Sequence, residues 1–252
     1  MAVSRSDAGS PRISLTSRLS REEPAPDTRA TVLSVKLHGV VTGMATLTVL
    51  GTALTACGSG SDSKVSVDKL QQAADKAIAA PDTPCPLGFD INAALKKAGL
   101  TATATPAADP NAERPAVDAE SATGAQDDAP LKTRGGALIT CTYSLSGGGY
   151  VQAALTGVRN GTAITLMAPL LQHDGDLARS DLFSFIAQKL ETGKAVLTPG
   201  PGLASITKVG ASGGDALLEV TTAAADHTAD HRPIIGEPLR ELTEALAKQV
   251  RV

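Results

Sequence analysis

Residues 137–158 read ALITCTYSLSGGGYVQAALTGV, and this stretch decides the class of fold. ALITCTYSL and YVQAALTGV have a strand-like period, and Gly147-Gly148-Gly149 supplies the turn between them. The two segments therefore read as a hairpin. Asn160-Gly161, the strongest short hairpin-turn signal, would join it to a third strand, TAITLMA, at 162–168. Further on, Leu177–Thr192 carries Leu182, Phe183, Ile186 and Leu190 and reads as a helix. A strand near Ala195–Thr198, the turn Pro199-Gly200-Pro201-Gly202, a strand Leu203–Val209, a glycine-rich turn and a strand Ala216–Thr222 follow. Pro238 suits the first position of a last helix, with Leu239, Leu242, Leu246 and Val250 as its apolar stripe.

Upstream, Val65–Ala80 reads as an amphipathic helix with Val67, Leu70, Ala74 and Ile78 about one turn apart, stopped by Pro81 and Pro84. A shorter helix spans about Asp90–Ala98, with Gly99 at the C-terminal cap. Residues 101–135 are rich in Ala, Pro and Asp and hold almost no large apolar side chain. They read as a disordered insertion, since they cannot bury enough surface to offset their ordering entropy. The resulting order is α-α-βββ-α-βββ-α. Short connections imply an antiparallel sheet, and amphipathic helices need a face to cover. The expected fold is thus an α+β two-layer sandwich, a single domain over 65–252.

Composition narrows the function. Apolar residues make up 42%, yet there is no Trp and only three Phe and two Tyr, so aliphatic side chains must build the core. So few rings argue against a sugar-stacking platform or a single-strand nucleic-acid groove. Charge divides at Cys57: six Lys and Arg against four acids before it, 17 basic against 22 acidic residues after it. An acidic domain near −5 is a poor partner for nucleic acid and gains nothing from anionic lipid.

Gly39–Ala56, GVVTGMATLTVLGTALTA, is an uncharged stretch just after Lys36 and His38, and it ends in small residues. That is the signature of an export signal, here 35–56. Leu54-Thr55-Ala56-Cys57 resembles the lipobox of bacterial lipoproteins, which implies cleavage before Cys57 and diacylglycerol on its thiol. Residues 57–64, with Gly58-Ser59-Gly60-Ser61, then read as a flexible tether. A transmembrane helix is the alternative, but the stretch is short and rich in Gly and Thr. Residues 1–34 are polar and aperiodic. They read either as a disordered leader or as sequence upstream of the true start at Val32 or Val35.

The cysteines are Cys57, Cys85 and Cys141. With Cys57 lipidated, Cys85 and Cys141 are left as an even pair in an oxidising compartment, and a disulfide between them is expected. It would close a loop of about 57 residues, worth about 4 kcal/mol on the chain-entropy model. Two buried free thiols are the alternative. A metal site is disfavoured, because the two thiols lack further ligands nearby.

Cys85-Pro86-Leu87 followed by FDINAALKKAG, Cys141-Thr142-Tyr143 entering a strand, and Pro199-Gly200-Pro201-Gly202-Leu203-Ala204 together resemble a group of actinobacterial cell-envelope lipoproteins of unknown function. The resemblance covers roughly Cys85–Val252. It implies the fold, the disulfide and an envelope location, and no reaction. Only Tyr143 stands where that group has an aromatic-rich strand, and the long Ala/Pro stretch is a further departure.

Few residues suggest chemistry. Gly210-Ala211-Ser212-Gly213-Gly214 matches the G-x-S-x-G nucleophile elbow, but strands on both sides make it a hairpin turn. Asp226, His227, Asp230 and His231 place imidazoles four residues apart beside two carboxylates, a weak metal-site candidate in what reads as a solvated loop. His173, with Asp174 and Asp176, could approach it in space. Asn160-Gly161-Thr162 matches a glycosylation sequon, and Asp127-Asp128 read as solvation. No cofactor is implied. The expectation is a lipid-anchored extracytoplasmic protein of the cell membrane, acting as a non-enzymatic module for an envelope protein, cell-wall or small-molecule partner. A carrier of lipid or another small hydrophobic ligand is the alternative, and an envelope hydrolase stands third.

Overall fold

The computed structural model describes residues 65–81, 83–107, 116–223 and 233–252. In chain order its elements are β1 (Val65–Ser66), α1 (Val67–Ala79), α2 (Ile91–Lys97), β2 (Ala104–Pro106), β3 (Val117–Ser121), α3 (Pro130–Arg134), β4 (Gly136–Leu145) and β5 (Tyr150–Val158). Then follow α4 (Ala163–Asp174), α5 (Arg179–Ile186), β6 (Val196–Leu197), β7 (Ala204–Val209), β8 (Ala211–Ser212), β9 (Asp215–Ala223) and α6 (Glu237–Ala247). The quoted stretch is the centre of the fold. Strands β4 and β5 pair antiparallel from Gly136↔Val158 to Ser144↔Tyr150. Around them lies an antiparallel sheet in the order β2-β4-β5-β9-β7-β6, with β3 also on β4. The expected α+β class with an antiparallel sheet is present. A separate two-residue parallel ladder joins β1 to β8, so α1 begins at Val67 rather than Val65.

Two expectations are corrected. TAITLMA is not a strand but the start of α4. The far edge of β5, where such a strand would add, is occupied along its whole length by β9. With no edge to pair with, the segment satisfies its backbone as a helix and buries Ala163, Met167 and Leu171 at a four-residue spacing. The disordered insertion over 101–135 is also overturned, except at 108–115, which lie outside the described residues. Within it, β2 and β3 lie end to end along the outer edge of β4, and α3 follows. An edge suits this segment, because Pro106 lacks an N–H and is tolerated there. Its own apolar content is small. The open ladder of β4 and the burial of Ala104, Val117 and Leu131 supply what composition alone did not reveal.

Cross-strand alternation gives the sheet two unlike faces. On one, Ile139, Cys141, Tyr143, Leu155, Leu218 and Val220 pack under α1, α2 and α6 in a large aliphatic core. Helix α1 turns Val67, Leu70, Ala74 and Ala77 inward, whereas the expected Ile78 is half exposed. Gly157 lets α1 come close, since a Cβ there would sit 2.8 Å from Leu70 Cδ2. Helix α2 ends as expected: Gly99 takes a left-handed φ of 72°, and Leu100 N–H donates to Leu95 O. Cys85 and Cys141 form a disulfide that ties the approach to α2 onto the middle of β4. On the other face α4 and α5 cover only part of the sheet, over Val158, Ile206 and Leu217. The two expected layers therefore gain a partial third, and the uncovered remainder makes a cleft. Among the described residues, no helix is long and apolar enough to cross a membrane.

Candidate functional site

Residues directly opposite each other in a sheet share a face, so register shows what lies in the cleft. One cross-strand row runs Asp118, Thr140, Ala154, Glu219 across β3, β4, β5 and β9. Beside it lies the row Thr142, Gln152, Thr221. Both rows are polar apart from Ala154, whose small side chain leaves space over the sheet. On the opposite flank the row Leu138, Thr156, Leu217 is mostly apolar and runs under the body of α4. The last turn of α4 brings Leu170, His173 and Asp174 to the wall. The result is a pocket of about 360 Å3 floored by the polar rows.

The polar groups differ in burial. Glu219 is only 1% exposed, and its carboxylate-bearing side chain lines the pocket from the middle of β9. Asp118 lies on the exposed edge contributed by β3. Gln152 donates from Nε2 to Thr142 Oγ1 at 3.4 Å, and Thr221 Oγ1 donates to Leu203 O at 3.2 Å. His173 Nδ1 lies 2.8 Å from Asp174 Oδ1, and the Asp174 side chain is buried while that of His173 is 74% exposed.

A second pocket of about 460 Å3 adjoins the first, and Leu138, Leu170 and His173 belong to both. Its walls are Pro130 and Leu131 of α3, Thr156 of β5, and Leu166, Met167 and Pro169 of α4, with Glu120 of β3 also lining it. Thr156 Oγ1 donates to Met167 Sδ at 2.6 Å, which removes that hydroxyl from the apolar surface. A polar chamber thus opens beside an apolar one.

The residues singled out in the sequence fare unevenly. His173 and Asp174 do come together in the polar pocket, whereas Asp176 does not line it. Ser212 donates to Val65 O at 3.3 Å and sits between β7 and β9, so the strand-to-helix turn that an elbow needs is missing. The hairpin-turn reading of that glycine-rich segment holds. Asn160-Gly161 instead leads from β5 into α4. Asp127 is fully exposed, 4.0 Å from Lys132. Cys57 and the cluster Asp226, His227, Asp230 and His231 lie outside the described residues. Among the described residues, no group of three or more His, Cys, Asp or Glu side chains is placed to hold a metal ion.

Sequence reasoning missed Asp118, Glu120, Leu131 and Glu219. The first three fell in the stretch read as disordered. Glu219 carried a visible signal: a lone acid inside the apolar run Ala216–Val220, where a half-buried strand would place a purely structural residue. No protein-family model, curated protein or solved structure matches the chain.

Proposed function

We propose that the chain is an extracytoplasmic lipoprotein, held at the cell membrane by lipid on Cys57, whose folded domain is a non-enzymatic module that binds a small molecule in the cleft under α4. The adjoining polar and apolar pockets carry this reading. Their volumes, about 360 and 460 Å3, fall in the range typical of small-ligand sites, and an apolar wall with a few converging polar groups is the usual composition of such sites. The Cys85–Cys141 disulfide supports an oxidising compartment.

The apolar chamber favours a second reading, a carrier of lipid or of another small hydrophobic ligand. Organic extraction of the purified chain followed by lipid mass spectrometry separates the two, since a carrier releases a copurified lipid. Methyl NMR during a small-molecule screen tests the site itself. Shifts confined to Leu138, Ala154 and Leu170 support the cleft. A screen in which those methyls stay still while another surface responds overturns it.

A further inference from the structure

We infer that Asn160 is a site of spontaneous covalent modification by water, at which the side-chain amide closes onto the Gly161 nitrogen and the ring then opens to isoaspartate and aspartate. Glycine after asparagine hinders this closure least, because no side chain crowds the forming ring. Asn160-Gly161 is the only such pair in the chain. The fold leaves it open to the reaction. Residues 159–161 bend between β5 and α4, and both Asn160 and Gly161 are exposed. The Asn160 N–H donates to Arg134 O at 3.1 Å, which anchors the residue without engaging its side chain. Among the described residues, neither the Asn160 side-chain amide nor the Gly161 N–H has a hydrogen-bond partner. Arg134 Nη1 packs against Gly161 so closely that a Cβ there would collide with it. Its positive charge favours the deprotonated nitrogen that attacks.

The chemistry needs only water and base. Solvent removes the Gly161 amide proton, the nitrogen bonds to Asn160 Cγ, and the Cγ–Nδ2 bond breaks with release of ammonia. Water then opens the succinimide. Breaking the Cγ–N bond leaves aspartate, whereas breaking the bond from that nitrogen to the main-chain carbonyl carbon leaves isoaspartate. Two related positions are closed to it. Asn92 lies in α2, and its side chain donates to Ala104 O at 3.0 Å and accepts from the Ala104 N–H at 2.7 Å. Asp174-Gly175 has the atoms for the same ring, but the Gly175 N–H donates to Leu171 O at 2.9 Å and Asp174 is buried. Both products at position 160 place a carboxylate two residues before Thr162, the N-cap of α4, and beside Arg134. A negative charge there complements the helix dipole. Isoaspartate also lengthens the main chain by a methylene directly ahead of α4, so the first turn of the cleft's roof must loosen to take it up.

Incubation of the full chain for days at mildly alkaline pH, followed by mass spectrometry of the tryptic peptide 160–179, tests this. Exchange of NH2 for OH at Asn160 is expected about tenfold or more faster than at Asn92, which reacts only through local opening of α2. A protein isoaspartyl methyltransferase should label the product. Asn160→Gln, whose larger ring closes slowly, should remove the label. In the converted chain, amide hydrogen exchange should speed up in the first turn of α4, and Asn160→Asp, with the charge but not the longer chain, should leave it unchanged. An Asn160 that keeps its amide in the folded chain overturns the site, whether or not urea releases it, as does conversion of Asn92 at an equal rate. An isoaspartyl form whose α4 exchanges like the unmodified chain overturns the link to the roof.

Discussion

Asp215 Oδ2 accepts the backbone N–H of Ala163 at 2.9 Å, so a residue of β9 caps the first turn of α4 from across 52 residues of sequence. The other carboxylate oxygen, Oδ1, lies 2.9 Å from Lys208 Nζ on β7. The first N–H groups of a helix lack internal partners, and a carboxylate there also complements the helix dipole. Because α4 forms the roof of the cleft, this contact links the sheet's last central strand to the candidate site.

Asp215→Ala should therefore cost about 1 kcal/mol, the usual loss for an N-terminal cap. Amide hydrogen exchange is expected to speed up in the first turns of α4, with α6 unchanged. Equal acceleration throughout the domain would assign Asp215 a global role instead.

Replacing both Cys85 and Cys141 with Ser removes the cross-link between the segment leading into α2 and the middle of β4. Loop-closure entropy puts the loss at about 4 kcal/mol, since the bridge joins residues 56 apart. A denaturant midpoint that falls only after reduction in the wild-type chain, and is insensitive to reductant in the double variant, checks this.

Gly148 and Gly149 both take left-handed φ values, 90° and 81°, but only one is crowded. A Cβ on Gly149 would lie 2.5 Å from Ala223 O, whereas none within 4 Å faces one on Gly148. Gly148→Ala should cost about 1–2 kcal/mol from backbone strain. Gly149→Ala should cost more, because the neighbouring backbone of β9 must also move. Parallel thermal melts of the two variants give the comparison.

Tyr143 sits on the core face of β4, and burial pushes its phenol from 10.0 up to about 12. Burial favours the neutral form, so between these values the unfolded chain releases a proton that the folded chain keeps. Stability should fall as pH rises through that window. Urea midpoints measured across it should drop less steeply in Tyr143→Phe than in the wild type.

Cys57→Ala should shift the chain from the membrane fraction to the medium or the soluble envelope fraction. Fractionation of cells expressing both forms measures this, and an unchanged membrane association would sink the lipid anchor.

What could be read in the sequence was local or a matter of arithmetic. The β4–β5 hairpin, the glycine cap of α2 and the Leu239, Leu242, Leu246 stripe of α6 are carried by neighbours within a few residues, so period and turn chemistry reveal them. The Cys85–Cys141 bridge followed from counting cysteines. Tertiary structure decided the rest. TAITLMA suits strand or helix equally, and only the arrival of β9 on the edge of β5 excludes the strand. Residues 104–106 and 117–121 are too polar to order by themselves and are held by the open edge of β4. The cleft inherits both dependences: its roof is the misread α4, one wall comes from the supposed insertion, and Glu219 reaches it through strand register. Long-range pairing settles all three, because a backbone hydrogen bond across a sheet depends on what lies alongside the strand, and the sequence alone does not state which segments will meet.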